Sequence, residues 1–185
     1  FTTTDDVFER CPRGAPCVVC NIEVPFRVVR DEATLGQPGT DTARLGEACG
    51  GRVAWAIARR GAVAPAWAAL KGFLAGAPLV VMEGSTIVDL VRPELLLFVA
   101  HPFLPPERWK EGSAELAARA DLVIVNRPAS ERRAPRASVM QTLIGARGRD
   151  DLRIEDVTRP LDEWAPDLAA RLRAPAGLEG AATTR

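Results

Sequence analysis

Residues 78–85, Pro-Leu-Val-Val-Met-Glu-Gly-Ser, constrain this chain more than any other stretch. A short continuous apolar run that stops at an acid, a glycine and a hydroxyl reads as a parallel strand buried on both faces. Two further runs of this kind follow, 95–100 (Leu-Leu-Leu-Phe-Val-Ala) and 122–125 (Leu-Val-Ile-Val), ending at His101 and at Asn126-Arg127. Open parallel sheets place ligands beyond the carboxyl ends of such strands. Glu83, Gly84 and Ser85 are therefore expected on a working edge.

The segments between these runs carry helical patterns. Val63, Trp67, Leu70 and Leu74 fall on one helical face, which marks a core-facing helix over 62–74. Thr40 is an N-cap candidate with Asp41 in the first turn, and Gly50-Gly51 mark the stop. Pro105-Pro106 open a helix expected to run through Ala120. A short helix is expected over 139–144, an edge strand over 152–157, and a last amphipathic helix carrying Leu161, Trp164, Leu168 and Leu172, delayed by Pro166. Short strands are expected over 26–30 and 53–58. This alternation predicts an α/β protein with a mostly parallel sheet flanked by helices.

A chain of 185 residues can bury one substantial core. The reading is one α/β domain over 26–173, preceded by an irregular, cysteine-containing segment 1–25 and followed by a flexible tail 174–185. Lys+Arg and Asp+Glu are both 24, so no overall field draws the chain to nucleic acid or an anionic membrane. The most apolar window, 61–82, is interrupted by Pro65, Gly72, Gly76 and Pro78, whereas a membrane span needs about 20 apolar residues. With no secretory signal, the expected location is cytoplasmic.

Three sets of residues suit phosphate chemistry. At Glu83-Gly84-Ser85 an acid can hold Mg²⁺ through water or orient an attacking water, and a glycine lets phosphate approach the backbone. The alternative there is a turn with Ser85 capping a helix. Asn126-Arg127-Pro128 offers an amide and a guanidinium at a strand end, or is simply a polar stop before proline. Gly39-Thr40-Asp41-Thr42 offers a helix start to an anion and Asp41 to a metal, or is an ordinary cap.

Taken together, Gln-Pro-Gly-Thr-Asp-Thr-Ala-Arg-Leu-Gly-Glu-Ala-Cys-Gly and the later Leu-Val-Val-Met-Glu-Gly resemble the molybdopterin-guanine dinucleotide biosynthesis adaptor (MobB) family, over roughly residues 38–127. That family shows Pro-Gly-Lys-Asp-Ser/Thr, then an arginine, then a strand ending in Glu-Gly. The resemblance implies a P-loop NTPase-like fold that binds GTP with Mg²⁺ in molybdenum cofactor biosynthesis and hydrolyses it weakly. It gives Asp41 and Glu83 catalytic roles at the metal or γ-phosphate. It gives Gly39, Thr40, Thr42, Gly84, Ser85, Asn126 and Arg127 nucleotide-binding roles.

Thr40 stands where the family has lysine, and Ala129 where a guanine-reading Asn-Lys-x-Asp motif has its acid. The family's Gly-x-x-x-x-Gly-Lys-Ser/Thr loop does not occur in the 185 residues, so the resemblance implies a strand, P-loop and helix ahead of Phe1. Implied partners are the nucleotide and a molybdopterin-type ligand, with a partner transferase and an oligomer left open.

Cys11, Cys17 and Cys20 are spaced Cys-x5-Cys-x2-Cys, and Cys49 is the other cysteine. The Cys-x2-Cys pair suits Zn²⁺ or an iron–sulfur cluster with Cys49 or an outside group completing the set; disulfides and inert loop thiols are the alternatives. Two other functions therefore stand beside nucleotide binding: a metal-binding GTPase or metallochaperone using those cysteines, and a non-catalytic α/β interaction domain. His101, the sole histidine, follows a strand and precedes Pro102, where it either meets ligand or faces solvent.

Overall fold

The computed structural model describes residues 1–3, 22–50, 52–148 and 152–173; Cys11, Cys17, Cys20, most of the segment 1–25 and the tail 174–185 lie outside the described residues. The chain divides into two compact units, Phe1–Arg92 and Pro93–Arg185, each with a three-stranded sheet. The architecture is mixed α/β, and the second sheet is wholly parallel and flanked by helices.

The first unit contains β1 (Thr2–Thr3), β2 (Phe26–Val29), α1 (Glu32–Leu35), α2 (Asp41–Ala48), β3 (Trp55–Ala58), α3 (Val63–Leu74) and α4 (Val88–Val91). The strand order is β1-β3-β2, with β1 parallel and β2 antiparallel to β3. Every residue of β3 is buried, as a central strand with two covered faces requires. Trp55 and Ile57 pack with Ile22, Val29 and Leu35. Ala58 packs on the other side with Val63 and Ala66 of α3 and with Ile87. The Trp55 indole N–H, buried with its ring, donates to the Thr2 hydroxyl at 2.8 Å.

The apolar run that the sequence reads as a buried strand is placed differently. Residues 79–84 lie in neither helix nor strand, and Val81 is 59% exposed. The Phe1 nitrogen donates to the Glu83 carbonyl at 2.6 Å.

The second unit contains β4 (Leu97–Ala100), α5 (Ser113–Arg119), β5 (Leu122–Asn126), α6 (Ala137–Arg147), β6 (Leu152–Glu155), α7 (Leu161–Trp164) and α8 (Pro166–Arg173). Its strands lie in the order β4-β5-β6, all running the same way, so the expected edge position of the 152–157 strand holds. Ala100, Val123 and Val125 meet Ala117, Val139 and Leu143 in one cluster, so α5 and α6 cover the same face of this sheet. Both connections crossing on one side follow from strands laid down in sequence order.

Helix boundaries moved where backbone chemistry intervened. The helix expected from Pro105 resolves into a 3₁₀ turn at Pro106–Arg108 and then α5, because Gly112 adopts φ +78° between them. Pro166 divides the last amphipathic segment into α7 and α8, occupying the first position of α8, where a missing N–H is tolerated. Among the described residues no helix is long and apolar enough to cross a membrane.

Candidate functional site: the carboxyl edge of the parallel sheet

Because β4, β5 and β6 are parallel, their carboxyl ends share one edge of the second sheet. That edge carries His101 after β4, Asn126 and Arg127 at the end of β5, and Glu155 and Asp156 at the end of β6. Asn126 sits opposite Glu155 in the register, and the Arg127 N–H extends the ladder by donating to the Glu155 carbonyl at 2.8 Å.

Two side chains fix the loops on this edge. The Asn126 Oδ1 accepts the Val157 N–H at 3.3 Å, which leaves its amide N–H₂ as the group able to meet a ligand. Asp156 accepts the Ala129 N–H through Oδ2 at 2.7 Å and the Thr158 N–H through Oδ1 at 3.0 Å, and takes the Thr158 hydroxyl as well. The Thr158 hydroxyl bond, followed by the Ala129 N–H, holds the Asp156 carboxyl below the usual aspartate range. Asp156 is thus committed as a carboxylate clamp between the loops after β5 and β6.

Beside the end of β4 lies a cleft of about 350 Å³ lined by His101, Phe103, Leu104, Pro105, Arg108 and Arg136. Its backbone is tied down: the Arg136 N–H donates to the Pro102 carbonyl at 2.9 Å, and the Trp109 indole to the Leu104 carbonyl at 2.9 Å. Phe103 stands edge-on to His101 with ring centres 5.9 Å apart, and the Arg133 guanidinium lies 4.2 Å over its ring. Arg133 in turn grips Glu131 through two bonds of 2.8 and 3.1 Å, which lowers the Glu131 pKa to about 2.

No family model, curated protein or solved structure matches the chain.

In the first unit, Thr40 caps α2 as expected, and its hydroxyl is fully used. It donates to the Gln37 carbonyl at 2.7 Å, accepts the Ala43 N–H at 3.3 Å and meets the Thr42 hydroxyl at 3.0 Å. Gly39, at φ +81°, makes the turn into that cap. Asp41 is exposed, with Arg44 3.5 Å away, and Glu83 is exposed in the irregular run. The Ser85 carbonyl accepts the Val88 N–H at 3.3 Å, leading into α4, and Gly84 sits against Phe1.

Glu83 belongs to the first unit and Asn126 to the second. Among the described residues no three His, Cys, Asp or Glu side chains gather as a metal group, and Cys49 is a free, exposed thiol. Asp41 and Glu83 are exposed carboxylates of the first unit.

Sequence reasoning singled out neither Asp156 nor the pair Arg108 and Arg136. The signal for Asp156 was an acid two residues before a threonine at a strand end, the pattern of a side-chain-closed turn. The signal for Arg136 was the basic run 132–136 immediately before a helix. Nothing local pairs Arg136 with Arg108.

Proposed function

We propose that this chain is a P-loop NTPase-like, GTP-binding protein of molybdenum cofactor biosynthesis, weakly hydrolytic and dependent on Mg²⁺. The observation that carries the reading is that three parallel strands in sequence order end together in polar residues, with the Asn126 amide hydrogens left uncommitted. Open parallel sheets place ligands beyond the carboxyl ends of their strands, and these three ends share one edge. The motif order from Gly39 to Asn126 supplies the rest of the argument.

In this reading the Asn126 amide and the Arg127 guanidinium meet the base or ribose side of the nucleotide. The resemblance gives Asp41 and Glu83, in the first unit, the Mg²⁺ role, in which the ion would supply charge neutralisation. Phosphoryl transfer is chiefly positioning and electrostatics, so weak hydrolysis fits a site with few dedicated groups.

The test is equilibrium binding of GTP and ATP to the full-length gene product, with and without Mg²⁺. The expected result is Mg²⁺-dependent binding that favours GTP and loses about tenfold in Asn126→Ala. Absence of nucleotide binding by the full-length protein overturns the proposal.

A further inference from the structure

We infer that the cleft at the end of β4 binds a phosphate monoester carrying a small apolar or aromatic group, held by His101, Arg108 and Arg136. The site is independent of the nucleotide reading, since it needs no base, no metal and no residue of the first unit.

Three features support it. First, charge is one-sided: two arginines and the sole histidine line the cleft, and no acidic residue does. Neither Arg108 nor Arg136 has an ion-pair or hydrogen-bond partner for its guanidinium among the described residues. Arg133, close by, is by contrast fully engaged with Glu131 and Phe103.

Second, the histidine is oriented. Its Nδ1 accepts the Phe103 N–H at 3.1 Å, so the neutral ring carries its proton on Nε2. His101 is then a donor in either protonation state. Two guanidinium forks and an imidazole N–H exceed what the two oxygens of a carboxylate can accept in one plane. They match the three peripheral oxygens of a phosphate ester.

Third, the remaining wall is apolar and fixed. Phe103, Leu104 and Pro105 supply it, and the bonds from Arg136 to Pro102 and from Trp109 to Leu104 hold its backbone in place. An apolar wall beside a few polar groups lining the same cleft is the usual build of a small-ligand site. A volume of about 350 Å³ admits one ring with its phosphate.

The sole histidine gives a unique reporter. Phenyl phosphate is titrated into the full chain while the His101 ring-proton resonance is followed by NMR, with inorganic phosphate, benzoate and GTP as separate arms. The expected result is a saturable shift with phenyl phosphate that is at least tenfold tighter than with phosphate or benzoate. Arg108→Gln and Arg136→Gln each weaken it about tenfold, and Arg136→Lys, which keeps the charge, weakens it less. Backbone amide spectra report whether each variant is folded, and Arg108→Gln, in a 3₁₀ turn, serves if Arg136→Gln perturbs α6.

Equal affinity for inorganic phosphate or for benzoate overturns the ligand class, and no saturable shift with phenyl phosphate overturns the site. GTP binding retained while phenyl phosphate binding is absent defeats this inference alone. Phenyl phosphate binding retained in full-length protein that binds no nucleotide defeats the nucleotide reading alone.

Discussion

A Cβ atom at position 84 would lie 2.6 Å from the Phe1 carbonyl oxygen, and Gly84 itself sits at φ +138°. Both facts demand glycine, one because backbone cannot move aside cheaply and the other because side chains disfavour that conformation. The expected outcome for Gly84→Ala is a loss of about 1–3 kcal/mol, read as a lower urea midpoint. An unchanged midpoint would show that the Phe1 carbonyl is not held against this turn. The same glycine is a proposed phosphate-approach position, so nucleotide affinity in this variant is interpretable only at urea-free, fully folded conditions.

Thr40 is 4% exposed, and its hydroxyl is donor once and acceptor twice. Thr40→Ala removes the cap of α2 and is expected to cost about 1 kcal/mol. Thr40→Ser keeps the hydroxyl and should recover most of it. Thermal unfolding of the two variants makes the comparison; equal losses would mean that the methyl group, not the cap, carries the effect.

That cap was legible because capping is local: a hydroxyl, a helix start and an acid in the first turn stand within a few residues. The runs that became β4 and β5 were legible for a similar reason, since continuous apolar residues between polar stops leave few other structures. The same rule failed at residues 79–82. Val80 and Val81 are apolar and β-branched, but pairing with another strand is a long-range fact, and among the described residues none pairs with them. The antiparallel pairing of β2 with β3 and the presence of Arg108 and Arg136 on one cleft are long-range facts of the same kind. Asn126 was placed correctly at a strand end, yet the bond its oxygen makes to Val157 depends on a turn after β6.

Asp156 gives the acid response of the second unit a defined sign. Folding lowers its pKa from the ordinary 3.8 through bonds from Thr158 and Ala129. Its carboxylate therefore contributes stability that is present above the unfolded value and lost as pH falls through the lower folded one. Glu131, lowered from 4.5 to about 2 by Arg133, acts in the same direction. Asp156→Asn is expected to flatten the fall in stability as pH drops below about 4, measured as urea midpoints. A fall as steep as that of the parent chain would mean that other carboxylates set the acid limit.

β4 lies at the edge of its sheet, and Leu97 and Val99 are 38% and 52% exposed. Their neighbour Phe98 packs with the α5 and α6 cluster, so by alternation Leu97 and Val99 project from the opposite face. An exposed apolar edge strand invites contact with other apolar surfaces. Val99→Lys is expected to change stability by less than about 0.5 kcal/mol, since it removes little buried area. It should nonetheless lower both the fluorescence of an added apolar dye and the light scattering of concentrated protein. Val81→Lys, in the exposed run of the first unit, is the matched comparison. A dye signal that falls with Val81→Lys and not with Val99→Lys would assign the apolar surface to residues 79–82 and leave the β4 face without that role.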